Sequence, residues 1–245
     1  MEPVFRTLEI IAGSAVRAVG TRITYQGLEN IPPRGGAVVA INHTSYIDFL
    51  PAALGTKRRN RRIRFMIKAE MQNVWIVNYL IGRTGAIPVD RQAGAQAYAE
   101  AVRALRAGEL VGVYPEATIS RAFELKDFKN GAARMALEAR VPIVPCIVWG
   151  AHRVWTKDHP KRLGRNKIPF TVHYGDPLSP TGSVTELDSA LKERMRSILR
   201  DVQLAYPRPK GAWWVPQSLG GSAPTLDDAR GLDEAERARR AGERR

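Results

Sequence analysis

The run Leu110-Val111-Gly112-Val113-Tyr114 is apolar at consecutive positions, the pattern of a strand covered on both faces. Such a strand needs a layer above and a layer below, and the chain supplies helical patterns on either side of it. Over 92–107, Tyr98, Ala101, Val102 and Leu105 fall on one helical face, and Gly108 stands where a C-cap glycine ends a helix. The same periodicity predicts helices over 47–54, 71–81, 131–139 and 185–206, the last with Leu187, Leu191, Met195, Ile198 and Val202 inward. Strands are expected over 22–26, 37–41, 64–67, 86–89, 142–148 and 170–174. Alternation of this kind predicts an α/β fold: a mixed, largely parallel sheet flanked by helices.

Residues 4–19 add an amphipathic helix, with Phe5, Leu8, Ile11, Ala12, Ala15 and Val19 on one stripe. Such a helix either packs on its own domain or lies in a membrane interface. No stretch approaches the roughly 20 apolar residues of a bilayer span. From Pro207 the chain becomes rich in Pro, Gly and Trp, and then charged. That composition predicts a linker and a flexible, loosely docked tail over 207–245. The expected organisation is therefore an N-terminal helix over 1–21, one domain over 22–206, and the tail.

Charge bears on partners. Lys and Arg number 38 against 24 Asp and Glu, a formal net charge of +14. The excess sits in two segments, Lys57 to Lys68 and Arg153 to Lys167, the second interleaved with Trp155 and His159 and preceded by Trp149 and His152. A polyanionic partner is implied: nucleic acid, an anionic membrane surface or a phosphorylated substrate. No helix-turn-helix, zinc-finger or aromatic RNA-binding signature supports nucleic acid. The four His show no metal-ligand spacing, and a single cysteine, Cys146, excludes a disulfide framework and a Cys-based zinc cage.

Chemistry concentrates where apolar strands end. Ala37 to Ile41 runs directly into Asn42-His43-Thr44-Ser45-Tyr46-Ile47-Asp48, with a helix expected to open at Thr44 or Ser45. His43 at the mouth of a sheet suits a general base, because its unperturbed pKa lies nearest neutrality. Asp48, one helical turn on, would orient the imidazole and stabilise its protonated form. Arg91 follows another strand and offers a planar fork for phosphate. Glu116 follows the Leu110 strand, and Val141-Pro142-Ile143-Val144-Pro145 reads as a buried structural strand.

Four segments in this order resemble the glycerolipid acyltransferases, the 1-acyl-glycerol-3-phosphate acyltransferase family. They are Asn42-His43 with Asp48, Gly85/Ile87/Arg91, Tyr114-Pro115-Glu116-Ala117-Thr118-Ile119-Ser120, and Val141/Pro142/Pro145. The resemblance covers about half the chain, from Gly27 to Val148. It implies transfer of an acyl group from acyl-CoA or acyl carrier protein to the free hydroxyl of a phosphorylated glycerol acceptor, with no bound cofactor or metal. It makes His43 and Asp48 catalytic. Arg91 and Glu116 would then bind the acceptor's glycerol-phosphate end, with Thr118, Ser120 and Lys68 assisting. Cys146 has no role in it. Ala117 stands where the family has Gly, Tyr114 where it has Phe, and Ile119 where an Arg often follows the Thr. These departures bear on acceptor choice: 1-acyl-glycerol-3-phosphate, another lysophospholipid or glycerol 3-phosphate. The expected setting is peripheral, on an anionic membrane at its cytoplasmic face. The rival from another class is a basic binding protein without catalysis, which leaves His43, Asp48, Arg91 and Glu116 unexplained.

Overall fold

A computed structural model describes residues 18–68, 84–89 and 94–242, with isolated positions between 7 and 16. The expected helix over 71–81 and Arg91 lie outside the described residues, as do Phe5, Leu8, Ala12 and Ala15 of the N-terminal stripe. Of the described positions of that segment, Ile10 and Ile11 are helical with exposed side chains, and Val19 lies in a turn.

Seven strands form one sheet: β1 (Ile23–Gln26), β2 (Ala37–Ile41), β3 (Ile63–Lys68), β4 (Ile87–Val89), β5 (Leu110–Val113), β6 (Ile143–Trp149) and β7 (Phe170–Tyr174). Their order is β1-β7-β6-β2-β5-β3-β4, and every neighbouring pair is parallel except β6 with β7. The helices are α1 (Phe49–Lys57), α2 (Gly94–Arg106), α3 (Gly131–Ala139), α4 (Val184–Ala205) and α5 (Leu226–Gly242).

The expected mixed, largely parallel α/β sheet is thus observed, and alternation along its central strands explains the layers. Val38, Ala40, Val111, Val113, Ile143 and Ile147 join one core with α2, α3 and α4. Ala37, Val39, Ile41, Leu110, Val144 and Cys146 join the opposite core with Ala52 of α1. The central strands β2, β5 and β6 are buried at every position because each of their faces is covered. Gly112 fits because a Cβ there would sit 2.5 Å from Ile63 Cγ2 on the adjacent strand. Gly108, at φ +87°, ends the approach to β5 after α2. Helix α4 opens with a reciprocal capping box, Ser183 Oγ accepting the Glu186 N–H and Glu186 Oε2 accepting the Ser183 N–H.

Three expectations change. The 207–245 tail is not loosely docked where described: Trp214, Val215 and Ala223 are buried in the α2–α3–α4 core, and α5 follows as a helix. Pro and Gly lowered its apparent order, while a few apolar side chains supply the burial. Just before the second basic segment, Trp149 and His152 are core residues, with His152 Nε2 3.2 Å from the Trp214 carbonyl oxygen. Burial pushes the His152 pKa down to about 3, so it stays neutral. In the first segment, Arg61 donates to the carbonyls of Pro32, Gly35 and Gly108, and Arg64 pairs with Glu109. Both brace the sheet's amino-terminal edge.

Candidate active site

Strands β2 and β5 run side by side in parallel, with Ala40 opposite Val113, so the loops after them emerge together at the carboxyl edge of the sheet. That edge is where open α/β sheets bind ligands. Asn42 makes the exit from β2. Its Nδ2 donates to the Val148 carbonyl at 3.1 Å and its Oδ1 accepts the Val148 N–H at 2.7 Å. A side-chain amide thereby extends the β2–β6 ladder one step and frees the backbone to turn.

The turn that follows is a loop; α1 does not begin until Phe49. Thr44 and Ser45 look like helix caps in sequence, but their N–H groups donate to Asp48 Oδ2 at 2.8 and 2.7 Å. The same oxygen lies 3.2 Å from His43 Nδ1. The spacing of His43 and Asp48 therefore reflects a loop wrapped round its own carboxylate, and not one turn of helix as the sequence predicts. Asp48 is fully buried, and its Oδ1 has no hydrogen-bond partner among the described residues. Burial pushes its pKa up, opposed by the bonds from His43, Ser45 and Thr44.

With Nδ1 facing Asp48, His43 keeps Nε2 for a substrate. The imidazole stacks on Tyr114 with ring centroids 4.0 Å apart, and its side chain is 18% exposed, at the wall of a cleft. Tyr114 is half-buried, and burial of its phenol raises the pKa well above 10, so it serves as a neutral stacking surface. The β5 loop clamps the His43 backbone from both sides. Glu116 Oε1 accepts the His43 N–H at 2.8 Å, and the Ser120 N–H donates to the His43 carbonyl at 2.8 Å. Glu116 Oε2 accepts the Lys126 N–H at 3.1 Å. Glu116, expected to meet the acceptor, thus has each carboxylate oxygen on a backbone N–H, and its geometry is that of a brace. Burial raises its pKa to about 7.

Of the other expected residues, Thr118 lines the cleft, and its Oγ1 receives Lys126 Nζ. Ser120 is buried, with its hydroxyl donating to the Glu124 carbonyl at 2.7 Å, so it belongs to the loop's framework. Lys68 ends β3. Cys146 is buried in β6, and burial pushes its thiol pKa up, leaving it protonated. Sequence reasoning passed over Asn42 as a bridge, although it adjoins His43. It also passed over Lys126, which no local pattern marks.

Ala117 adopts φ +59°, a left-handed conformation that suits Gly, and it occupies the position where the family pattern has Gly. Ala117→Gly is expected to stabilise the protein by about 1 kcal/mol. Urea midpoints at unchanged m-value test this; an unchanged or lowered midpoint would mean the loop absorbs the strain elsewhere.

The cleft has a volume of about 1990 Å³ and is walled largely by apolar side chains, among them Phe49, Leu54, Phe65, Met66, Leu125 and Met135. Small-ligand pockets more usually fall at roughly 300–1,000 Å³. Among the described residues, no helix is long and apolar enough to cross a membrane.

Fold and site together define an α/β protein that sets a histidine–carboxylate pair on the wall of a large apolar cleft. The Acyltransferase family model matches residues 22–149. The chain is 28% identical to a 1-acyl-sn-glycerol-3-phosphate acyltransferase of Borreliella burgdorferi, over 74% of this chain and 70% of that one. It is 34% identical to the Bacillus subtilis protein of the same description, over 50% of this chain and 60% of the relative. For the Limnanthes douglasii protein of that description the identity is 30%, over 75% and 64%. The chain thus spans less than two thirds of the latter two relatives. A crystal structure of the 1-acyl-sn-glycerophosphate acyltransferase of Thermotoga maritima superposes with a TM-score of 0.67, at 21% identity and over 85% and 86% of the two chains, which shows a shared fold. The chain belongs to the Acyltransferase family. It is an acyltransferase.

Proposed function

We propose that this acyltransferase esterifies the free hydroxyl of 1-acyl-glycerol-3-phosphate, giving phosphatidic acid, with His43 as general base and Asp48 as its orienting partner. The observation that carries the reading is the His43–Asp48 pair on the wall of an apolar cleft. The acceptor hydroxyl gives its proton to His43 Nε2 as its oxygen attacks the thioester carbonyl. Asp48 stabilises the imidazolium, and the imidazolium returns the proton to the departing thiolate of CoA or acyl carrier protein. No acyl-enzyme is formed, so Cys146 has no task. Relatives carrying the 1-acyl-sn-glycerol-3-phosphate acyltransferase description support this acceptor, and the cleft's volume supports two substrates that each bring an acyl chain. Arg91, Lys68 and Thr118 are proposed to meet the acceptor on the strength of the motif resemblance.

The site of action is proposed to be an anionic membrane at its cytoplasmic face, bound peripherally. Support comes from exposed Ile10 and Ile11, from Tyr46 and Phe49, and from Leu163, which is 62% exposed beside Arg162 and Arg165. Basic residues held near an anionic surface contribute roughly 1 kcal/mol each.

The test is transfer of a labelled acyl group, from acyl-CoA and from acyl carrier protein in parallel, to 1-acyl-glycerol-3-phosphate on anionic vesicles. Labelled phosphatidic acid is the expected product. Labelling of glycerol 3-phosphate or another lysophospholipid in its place would move the acceptor and leave the reaction class standing.

A further inference from the structure

We propose that Arg121, Lys126 and Lys157 form an anion site beside the base, that its ligand is the phosphomonoester of the acceptor, and that Asp233 and Glu236 of α5 occupy it until that ligand arrives. The identity of the ligand rests on the function proposed above; the site itself rests on geometry.

Lys126 Nζ bonds Asp233 Oδ2 at 2.9 Å and also Thr118 Oγ1. Lys157 Nζ lies 2.7 Å from Glu236 Oε2 and 3.3 Å from Asp233 Oδ1. Arg121, which is buried, pairs with the same two carboxylates and with Asp158. Lys126, Lys157, Asp233 and Glu236 all line the cleft that His43 lines. The link to the base is short: Glu116 holds the Lys126 N–H with one oxygen and the His43 N–H with the other.

Two features separate a ligand site from a structural clasp. The first is charge. Asp158 pairs with Arg121, which leaves two of the three cations gathered out of bulk water in need of an anion, because an uncompensated buried charge is strongly destabilising. The two carboxylates of α5 carry together about the charge of a phosphomonoester at neutral pH, −1.5 to −2. Burial alone would raise the Asp233 carboxyl, but Lys126 and Lys157 outweigh it and hold it below the ordinary range, so it is ionised when docked. The second is the face that α5 presents. A helix on a globular surface usually docks through an apolar stripe. Along α5, Ala229 is buried, Asp233 and Glu236 are half-buried, and Leu226 and Leu232 are 38% and 46% exposed. Among the described residues of α5 past Leu226, the buried and half-buried positions are thus one alanine and two carboxylates, with Arg230 and Arg237 beside them at the cleft, a contact that salt screens and a stronger anion displaces.

The test uses the full chain. Hydrogen exchange across 226–242 is followed while inorganic phosphate is titrated into the millimolar range at ionic strength fixed with chloride. Exchange in α5 is expected to rise saturably, and Lys126→Met is expected to remove that response. Asp233→Asn with Glu236→Gln is expected to exchange rapidly without phosphate, to bind inorganic phosphate several-fold more tightly, and to lower KM for the acceptor several-fold. Protection of α5 that phosphate leaves unchanged in the wild-type chain would overturn the proposal, whatever the variants do. If phosphate releases α5 while 1-acyl-glycerol-3-phosphate is not acylated, the anion site stands and the acceptor assignment falls. If acylation proceeds while phosphate leaves α5 in place, the acceptor assignment stands and the carboxylates are a clasp.

Discussion

His43→Ala is expected to lower turnover by about 10²- to 10⁴-fold, the range a positioned general base supplies. The fold should survive the change. The imidazole is partly exposed and stacks on Tyr114, whereas the bonds that fix the loop run through the His43 backbone to Glu116 and Ser120. Alanine keeps both of those backbone bonds. Asp48→Asn is a sharper version of the same test. An asparagine oxygen can still accept the Thr44 and Ser45 N–H groups, but it carries no charge for an imidazolium and does not fix the ring's tautomer. Both variants should retain wild-type urea midpoints to within about 1–2 kcal/mol and lose the chemical step, seen as a fall in kcat with KM little moved. A folded His43→Ala protein whose kcat stays within a few-fold of wild type would remove His43 from the reaction.

What was legible in the sequence follows the range over which each interaction acts. The bounds of β2, α3 and β7 agree with the pattern because local periodicity and burial point the same way there, on both faces of β2 and on one face of α3 and β7. The contact between His43 and Asp48 was legible because the loop that joins them is local. The start of α1 was misread because Thr44 and Ser45 are good caps, and their N–H groups instead serve a carboxylate that nothing in a periodicity count distinguishes. The tail was misread because Pro and Gly cluster over 207–224 and charge follows, while Trp214 and Val215 decide its packing. Arg61 and Arg64 count as surface charge in a sequence and are tied to carbonyls and Glu109 in the fold. The clamp from Glu116 to His43 spans 73 positions, and the contacts from α5 to Arg121 span more than a hundred. Contacts of that range leave no spacing to read.

Glu116 ties stability to pH in a direction opposite to most carboxylates. Its folded pKa is raised from the ordinary 4.5 to about 7 by burial, against the pull of the His43 and Lys126 backbone N–H groups. Between these two values the folded chain keeps a proton that the unfolded chain has lost. Stability from this group is therefore complete below pH 4.5 and falls as pH rises to about 7. The full span amounts to about 3 kcal/mol at 1.36 kcal/mol per unit. Glu116→Gln cannot ionise, so it lacks this decline. It also sets an NH₂ against one of the two buried N–H donors, a cost of about 1–3 kcal/mol at every pH. Urea midpoints of the two proteins across pH 4.5–8 should therefore converge: the variant is clearly weaker in acid, and the gap closes by about 3 kcal/mol as pH passes 7. Comparing the two cancels the titrating groups that do not interact with Glu116. A gap that stays constant across the range would mean Glu116 is already ionised in acid, with its brace on His43 stabilising the charge and not surviving in spite of it.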